Sequence, residues 1–424
     1  MPVKAIKLES SAYRAASAVP AALFLALAFF CVKWSLANTA SLRSEFKEVA
    51  DLTVEWGPDD PQTHYASAVL HQKTFLPEDL KISLAEFETA AALAPHNYLL
   101  WLELAGARER SGDAPGAERA VRRAAELAPN YAQVQWALGN ILLRQGRTDE
   151  AFAEIRKAVA ADDKFTNSAA STAWQIFDAD LDKVRQAIGD SSRINAALTK
   201  FLAGQKRLDQ AFVIWDSLPE GEKAGAFKEI GTGFYANLLE AKKYREAAKV
   251  YSDVLAAEGE KAAPGQIANG GFENAVKPAG AQVFEWQIAD SQQPQIGSDT
   301  GQKHSGGRSL VMIFDSAGPK DFRAVSQTVV VDAGKTYSLE VFYKAELTTA
   351  ATFYWQVADA AEGKILASTE PVSANSDWKS QRVKFTAPGN SEAVVIRLAR
   401  VECGNGLCPI AGRIWFDDLT LSAQ

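Results

Sequence analysis

A surplus of positive charge is the first thing this chain lacks. Its 424 residues carry 45 Lys and Arg against 52 Asp and Glu, a net charge of −7, so no global basic field exists to hold nucleic-acid phosphates. Histidine is scarce as well. The four present (His64, His71, His96, His304) never pair at metal-ligand spacing, which argues against a zinc site. Cysteine is nearly missing, with three residues, and Cys31 lies in an apolar run. The other two, Cys403 and Cys408, bracket "CGNGLC", a Gly-containing loop flexible enough to close into a disulfide in an oxidising compartment. A metal-binding pair is the rival, and it lacks further Cys or His ligands nearby.

What is present begins with one long apolar segment. Ala15 to Val32 contains no charged residue, and its 18 positions give roughly 27 Å as a helix, close to a bilayer's hydrocarbon thickness. Lys4, Lys7 and Arg14 precede it against Glu9 alone, so the positive-inside rule keeps the N-terminus in the cytoplasm and sends the rest across. Lys33 and Trp34 follow where a snorkelling cation and an interfacial ring belong. The alternative is a signal peptide cleaved near "SLA" at 35–37.

Beyond "WGPDDPQ" (56–62) the chain turns Ala-rich and repeats itself. Ala105 and Gly139, Gly112 and Gly146, Ala117 and Ala151, Ala124 and Ala158, and Pro95 and Pro129 are pairs 34 positions apart. With Trp101-x-x-Leu104-Ala105 in one helix and Ala117-x-x-x-Val121-x-x-Ala124 in the next, this period resembles the tetratricopeptide repeat. Weaker copies flank it at 83–95, 205–219 and 241–255, with Ala211 and Ala247 in the small position. The stretch 166–192 fits worst and reads as helices continuing the solenoid. The resemblance implies a concave groove for a protein partner, lined in the two best repeats by Leu99, Leu102, Glu109, Arg110, Gln133, Trp136, Asn140, Leu143 and Arg144.

Helical periodicity stops near 258–266, and strand-like segments follow at 283–289, 309–314, 324–331, 336–346, 351–359 and 392–401. With no helix between them they predict an antiparallel sandwich, a jelly roll by its size of about 160 residues. "NGGFE" (269–273), "HSGGRSL", "VVVDAGKTYSLEVFYKA", a Trp378 strand ending in "FTAPG", and "IWFDDLTL" as the last strand resemble carbohydrate-binding modules of the group containing families four, nine and twenty-two. That resemblance implies a structural calcium joining first and last strands through Glu273 and Asp417, whose hard oxygens suit the ion. Glycan sites stack an aromatic ring on a sugar and flank it with planar polar groups. Strand alternation offers Trp286, Phe342, Tyr354, Gln356 and Arg397 for one carbohydrate-binding face.

No catalytic motif competes. "DADLD" (178–182) starts like a calcium loop, but Lys183 and Gly189 stand where Gly and Glu are required. The expected organisation is a multidomain α-then-β chain: a cytoplasmic N-terminus (1–14), a transmembrane signal anchor (15–37), a linker (38–62), a tetratricopeptide-like α-solenoid (63–257), a linker (258–264) and a β-sandwich (265–424). The expected function is a non-enzymatic adaptor on a bacterial inner membrane, its bulk in the periplasm, joining a protein partner to a polysaccharide in exopolysaccharide or O-antigen assembly. The alternative is a scaffold of a secretion or envelope complex whose sandwich takes no sugar.

Overall fold

The computed structural model describes residues 11–256, 260–317, 322–349, 353–401 and 409–424, with side chains in those stretches except at 11–16 and 316–317. Cys403 and Cys408, and with them the expected disulfide, lie outside the described residues. The chain divides into two compact units that join in sequence at Asp190–Ser191.

The first unit is helical. Its helix α1 (Ser11–Arg43) carries the apolar run, and Ser17–Arg43 is long and apolar enough to cross a membrane. The expected linker at 38–62 is instead structured. α1 continues through it to Arg43, and α2 (Lys47–Trp56) follows and packs against α1 and α3 (Pro61–Gln72). Small residues make this fit possible: Ala37, Ser41, Ala50 and Thr53 are buried, and a side chain on Gly57 would meet Ala37 Cβ at 3.2 Å. Asn38 Nδ2 donates to Asp60 Oδ2 at 2.7 Å and fastens the end of α1 to the cap of α3.

Helical hairpins follow: α3 with α4 (Pro77–Leu93), α5 (Tyr98–Arg110) with α6 (Ala114–Leu127), α7 (Ala132–Arg144) with α8 (Thr148–Ala161), and α9 (Thr166–Ile176) with α10 (Leu181–Ile188). Asn97 and Asp113 cap α5 and α6 by accepting from the backbone N–H groups of Leu99 and Gly116. The turn after α5 places Gly112 at φ +85°, with Asp113 N–H donating to Arg108 O and Gly112 N–H to Glu109 O; Gly146, at φ +77°, does the same after α7. Both glycines stand where the 34-residue period put them. Ala105, Ala117, Ala124, Ala151 and Ala158 are buried between helices, and a side chain on Gly139 would strike Ile155 Cγ1 at 2.7 Å.

The second unit opens with α11 (Ser192–Gly204) and α12 (Leu208–Asp216), the short α13 (Glu220–Ala224), then α14 (Lys228–Glu240) and α15 (Tyr244–Val254). The same turns recur after α11 and α14, but Lys206 and Lys242 occupy the left-handed position at φ +59° and +58°. α15 packs directly on the sandwich. Tyr251 Oη donates to Glu285 Oε1 at 3.1 Å, Tyr244 Oη to Ala360 O at 3.0 Å and Arg245 Nη2 to Val331 O at 3.1 Å. The last repeats and the sandwich therefore share one compact unit, although the change from helix to strand falls between Val254 and Gln287 as read from the sequence.

Ten strands build the sandwich among the described residues: β1 (Gln287–Ile288), β2 (Gln295–Asp299), β3 (Ser309–Ala317), β4 (Val325–Val330), β5 (Thr336–Leu347), β6 (Phe353–Asp359), β7 (Ile365–Ser368), β8 (Asn375–Thr386), β9 (Ala393–Arg400) and β10 (Ile410–Ala423). One sheet has the order β1-β4-β9-β6-β7 and the other β2-β3-β10-β5-β8, with antiparallel neighbours throughout. Met312, Leu339, Val341, Trp355, Ile396 and Phe416 are among the side chains that fill the space between them. "NGGFE" lies against the last strand: Leu419 N–H donates to Gly270 O at 2.9 Å, and a side chain on Gly270 would collide with Leu419 O at 2.2 Å.

Candidate functional site

The two sheets present different outer faces. On the first, register aligns Gln287, Ser326, Arg397, Gln356 and Ser368 as a polar row across all five strands. Alternation turns these side chains away from a core that takes Phe353, Trp355, Ile396 and Leu398. Arg397 is exposed, and its Nε and Nη2 both donate to Gln356 Oε1, the former at 2.8 Å. This fixes a guanidinium plane beside a planar amide. Tyr354, half-buried, stands two residues before Gln356 on the same face of β6, opposite Ala399. An aromatic edge next to a rigid Arg–Gln pair is a donor and acceptor set for hydroxyl groups.

Two of the expected face residues lie elsewhere. Trp286 is buried in the core, 5.3 Å from Phe272 and 6.0 Å from Trp355 between ring centroids, with Nε1 donating to Asn269 O at 3.0 Å. It precedes Gln287, and the alternation that turns Gln287 outward turns Trp286 in. Phe342 sits on the other sheet, paired across the strands with Asp417 and Ser380, and the ring of His304 stacks on it at 3.8 Å. Alternation decides inside or outside on one strand, but it does not say which of two sheets the strand joins.

That second face is covered by the loop holding "HSGG". Asp417, fully buried, accepts from the backbone N–H of His304 at 2.8 Å and of Ser305 at 3.1 Å on Oδ2, and from Asp418 N–H at 2.8 Å on Oδ1. Asp418 takes the Ser305 hydroxyl at 2.9 Å and His304 Nδ1 at 2.6 Å, while both Glu273 oxygens accept Gly307 N–H at 3.0 Å. Burial, followed by the charge of Asp418, pushes the Asp417 carboxyl up against the pull of its N–H donors. No grouping of three or more acidic, His or Cys side chains suited to a metal occurs among the described residues. The Gly271 turn lies beside these side chains. From the point where a Gly271 side chain would begin, Asp418 Oδ1 lies at 3.6 Å, Asp417 Oδ1 at 3.9 Å and Glu273 Cγ at 4.0 Å. Carboxylate oxygens are the hard ligands that calcium takes, but here those of Glu273 and Asp417 accept backbone N–H groups.

In the first unit, a cleft of about 300 Å³ opens between α5 and α7. Of the expected groove residues, Leu102, Glu109, Gln133, Trp136, Asn140 and Arg144 line it, joined by Glu103 and Gly106. Arg144 pairs with Glu109 across the two helices, so that cation is already engaged. Leu99, Arg110 and Leu143 do not line the cleft: Leu99 is exposed at the start of α5, Arg110 donates to Gln72, and Leu143 packs against the helical core. Burial raises the Glu103 carboxyl, with Arg110 opposing. Reading the sequence also missed Ser326, Ser368, His304 and Asp418. Alternation in "VSQTVVV" was a usable signal for Ser326, whereas no local pattern announces the loop contacts.

Residues 265–400 match the family model described as a carbohydrate binding domain, CBM_4_9. A solved structure titled "CBM4 structure and function" is 20% identical over 37% of this chain and 99% of its own, with a TM-score of 0.29. TmCBM61, solved with β-1,4-galactotriose, is 16% identical over 37% of this chain and 96% of its own, at 0.27. On the helical side, MamA is 17% identical over 36% of this chain and 87% of its own, at 0.31. No curated protein matches. The chain thus joins tetratricopeptide-like hairpins to a sandwich of carbohydrate-binding-module type.

Proposed function

We propose that this protein is a non-enzymatic, membrane-anchored adaptor working outside the cytoplasm. Its helical repeats dock a protein partner and its sandwich holds a polysaccharide, in exopolysaccharide, O-antigen or related envelope assembly. The observation that carries this reading is the outer face of the first sheet, where Tyr354 stands beside the fixed Arg397–Gln356 pair in a region matched by a carbohydrate-binding family. The cleft between α5 and α7 supports the protein-docking half. The apolar helix at Ser17–Arg43 and the cations before it support an inner-membrane anchor with the bulk of the chain in the periplasm. Glu273 and Asp417 hold a calcium ion in this account, clamping the loop at 304–307 to the final strand.

The test is binding of the full chain, in detergent, to a panel of bacterial polysaccharides with and without calcium. Saturable binding that Tyr354→Ala and Arg397→Ala weaken about tenfold or more supports the reading, the loss expected for a buried polar and stacking contact. A folded chain that binds no glycan across the panel turns the sandwich into a scaffold element.

A further inference from the structure

Helix α3 carries two histidines, His64 and His71, whose spacing places them two turns apart on one face. Both are buried. His64 Nδ1 meets Glu86 Oε2 of α4 at 2.5 Å, and its Nε2 meets the backbone carbonyl of Pro58, in the turn after α2, at 2.8 Å. His71 repeats the arrangement with side chains: Nδ1 meets Asp79 Oδ1 of α4 at 2.9 Å, and Nε2 meets both Asp51 oxygens of α2 at 3.0 and 3.1 Å. Each ring thus bridges α4 to α2 or to the turn that follows it.

The chemistry of the ring makes these bridges depend on protons. Neutral imidazole donates from one nitrogen and accepts at the other, whereas carbonyls and ionised carboxylates only accept. Both bonds of either bridge therefore need the doubly protonated, charged ring. The surroundings suit that charge. Asp79 also accepts from Lys47 Nζ at 2.9 Å and Thr74 Oγ1 at 2.7 Å, and the half-exposed Asp51 accepts from Ser67 Oγ at 2.8 Å. Lys47, followed by Thr74 and His71, holds the Asp79 carboxyl well below the usual carboxylate range. Asp51, His71, Asp79 and Lys47 alternate in sign when the ring is charged. Glu86, helped by the Pro58 carbonyl and Asp60, raises His64 above its ordinary value against the opposing effect of burial. From α1 no hydrogen bond or ion pair reaches either ring among the described residues; its tie is Asn38 to Asp60.

We propose that His64 and His71 form a proton-operated clasp holding the first helical hairpin to α2, closed while both rings are charged and loosened as they lose a proton. α2 packs against α1, whose Ser17–Arg43 stretch is long and apolar enough to cross a membrane, so the clasp sets how firmly the repeats are held to that helix. Because His64 is raised in the folded state, its contribution is complete below the unfolded value of about 6.5 and is lost as pH rises through the folded one. The Asn38 to Asp60 bond needs no histidine and stays as the pivot.

The experiment follows amide hydrogen exchange of the full chain in detergent from about pH 6 to 9, with each rate divided by the intrinsic rate at that pH. Protection in 47–72 is compared with that in 132–161, a hairpin without histidine, as internal reference. Wild type should lose about tenfold or more of its protection in 47–72 relative to the reference across this range. The variant His64→Gln/His71→Gln keeps polar groups that cannot charge, and it should start low at about pH 6 and show no slope. A wild-type ratio that stays flat overturns the inference, as does a slope that survives in the double variant. Should that variant not fold, the wild-type imidazole resonances decide: His64, assigned by its absence from the single His64→Gln chain, is expected to titrate above about 6.5 in step with the protection. Titration at or below that value, or out of step with the loss of protection, overturns it.

Discussion

The two outer faces of the sandwich obey the same alternation and have opposite fates. On the first sheet, the polar row from Gln287 to Ser368 crosses the strands around an exposed Arg397. On the second, the equivalent central position is Asp417, fully buried, with two backbone N–H groups of the loop at 304–307 and that of Asp418 on its carboxylate. The difference teaches that an outward side chain becomes a binding group only where no loop needs it. A carboxylate there can organise a loop, while a guanidinium tied to a single amide keeps donors for a ligand.

The largest effect should come from breaking the covered face. Asp417→Ala leaves three N–H groups without their acceptor and should cost about 2–4 kcal/mol, read as lost hydrogen-exchange protection around 304–307 and a lower denaturation midpoint. Gly306→Ala should cost about 1–2 kcal/mol, measured the same way. Gly306 holds φ +57°, and a Cβ there would meet Glu273 Oε1 at 1.9 Å. Acidity gives a smaller, signed effect. The Asp417 carboxyl is raised in the folded state, so its contribution is present below the unfolded pKa and is lost as pH rises through the folded one. The midpoint of wild type relative to Asp417→Asn should therefore fall as pH rises from about 4 to 7, the range above an ordinary aspartate. Calcium should flatten that slope by holding the charged form. On the open face, Arg397→Ala should cost about 1 kcal/mol, because the buried Gln356 oxygen loses the donors that hold it.

Much of the helical region was legible because its repeats rest on residues that packing cannot exchange. Gly139 has no room for a side chain beside Ile155, and Gly112 and Gly146 take left-handed turns, so the period is written in the sequence. It fades later for a physical reason. The same turn is made by Lys206 and Lys242, which adopt the left-handed conformation at some cost and leave no glycine to find. The alternating β5 and the mostly buried β4 and β9 were readable, whereas β2 and β7 are mostly exposed sheet edges. The candidate face was half legible. Tyr354, Gln356 and Arg397 followed from alternation, but the pairing that sends β5 to the other sheet is a long-range fact, so Phe342 was misplaced, as was Trp286 at the short β1.

The comparison of faces is tested most directly by measuring glycan affinity for Arg397→Ala and Phe342→Ala side by side in the full chain. The account predicts that Arg397→Ala weakens binding about tenfold or more while Phe342→Ala, which disturbs only the ring beneath His304, leaves affinity within about twofold. Loss of binding in Phe342→Ala with Arg397→Ala unaffected would contradict it and move the glycan to the second sheet.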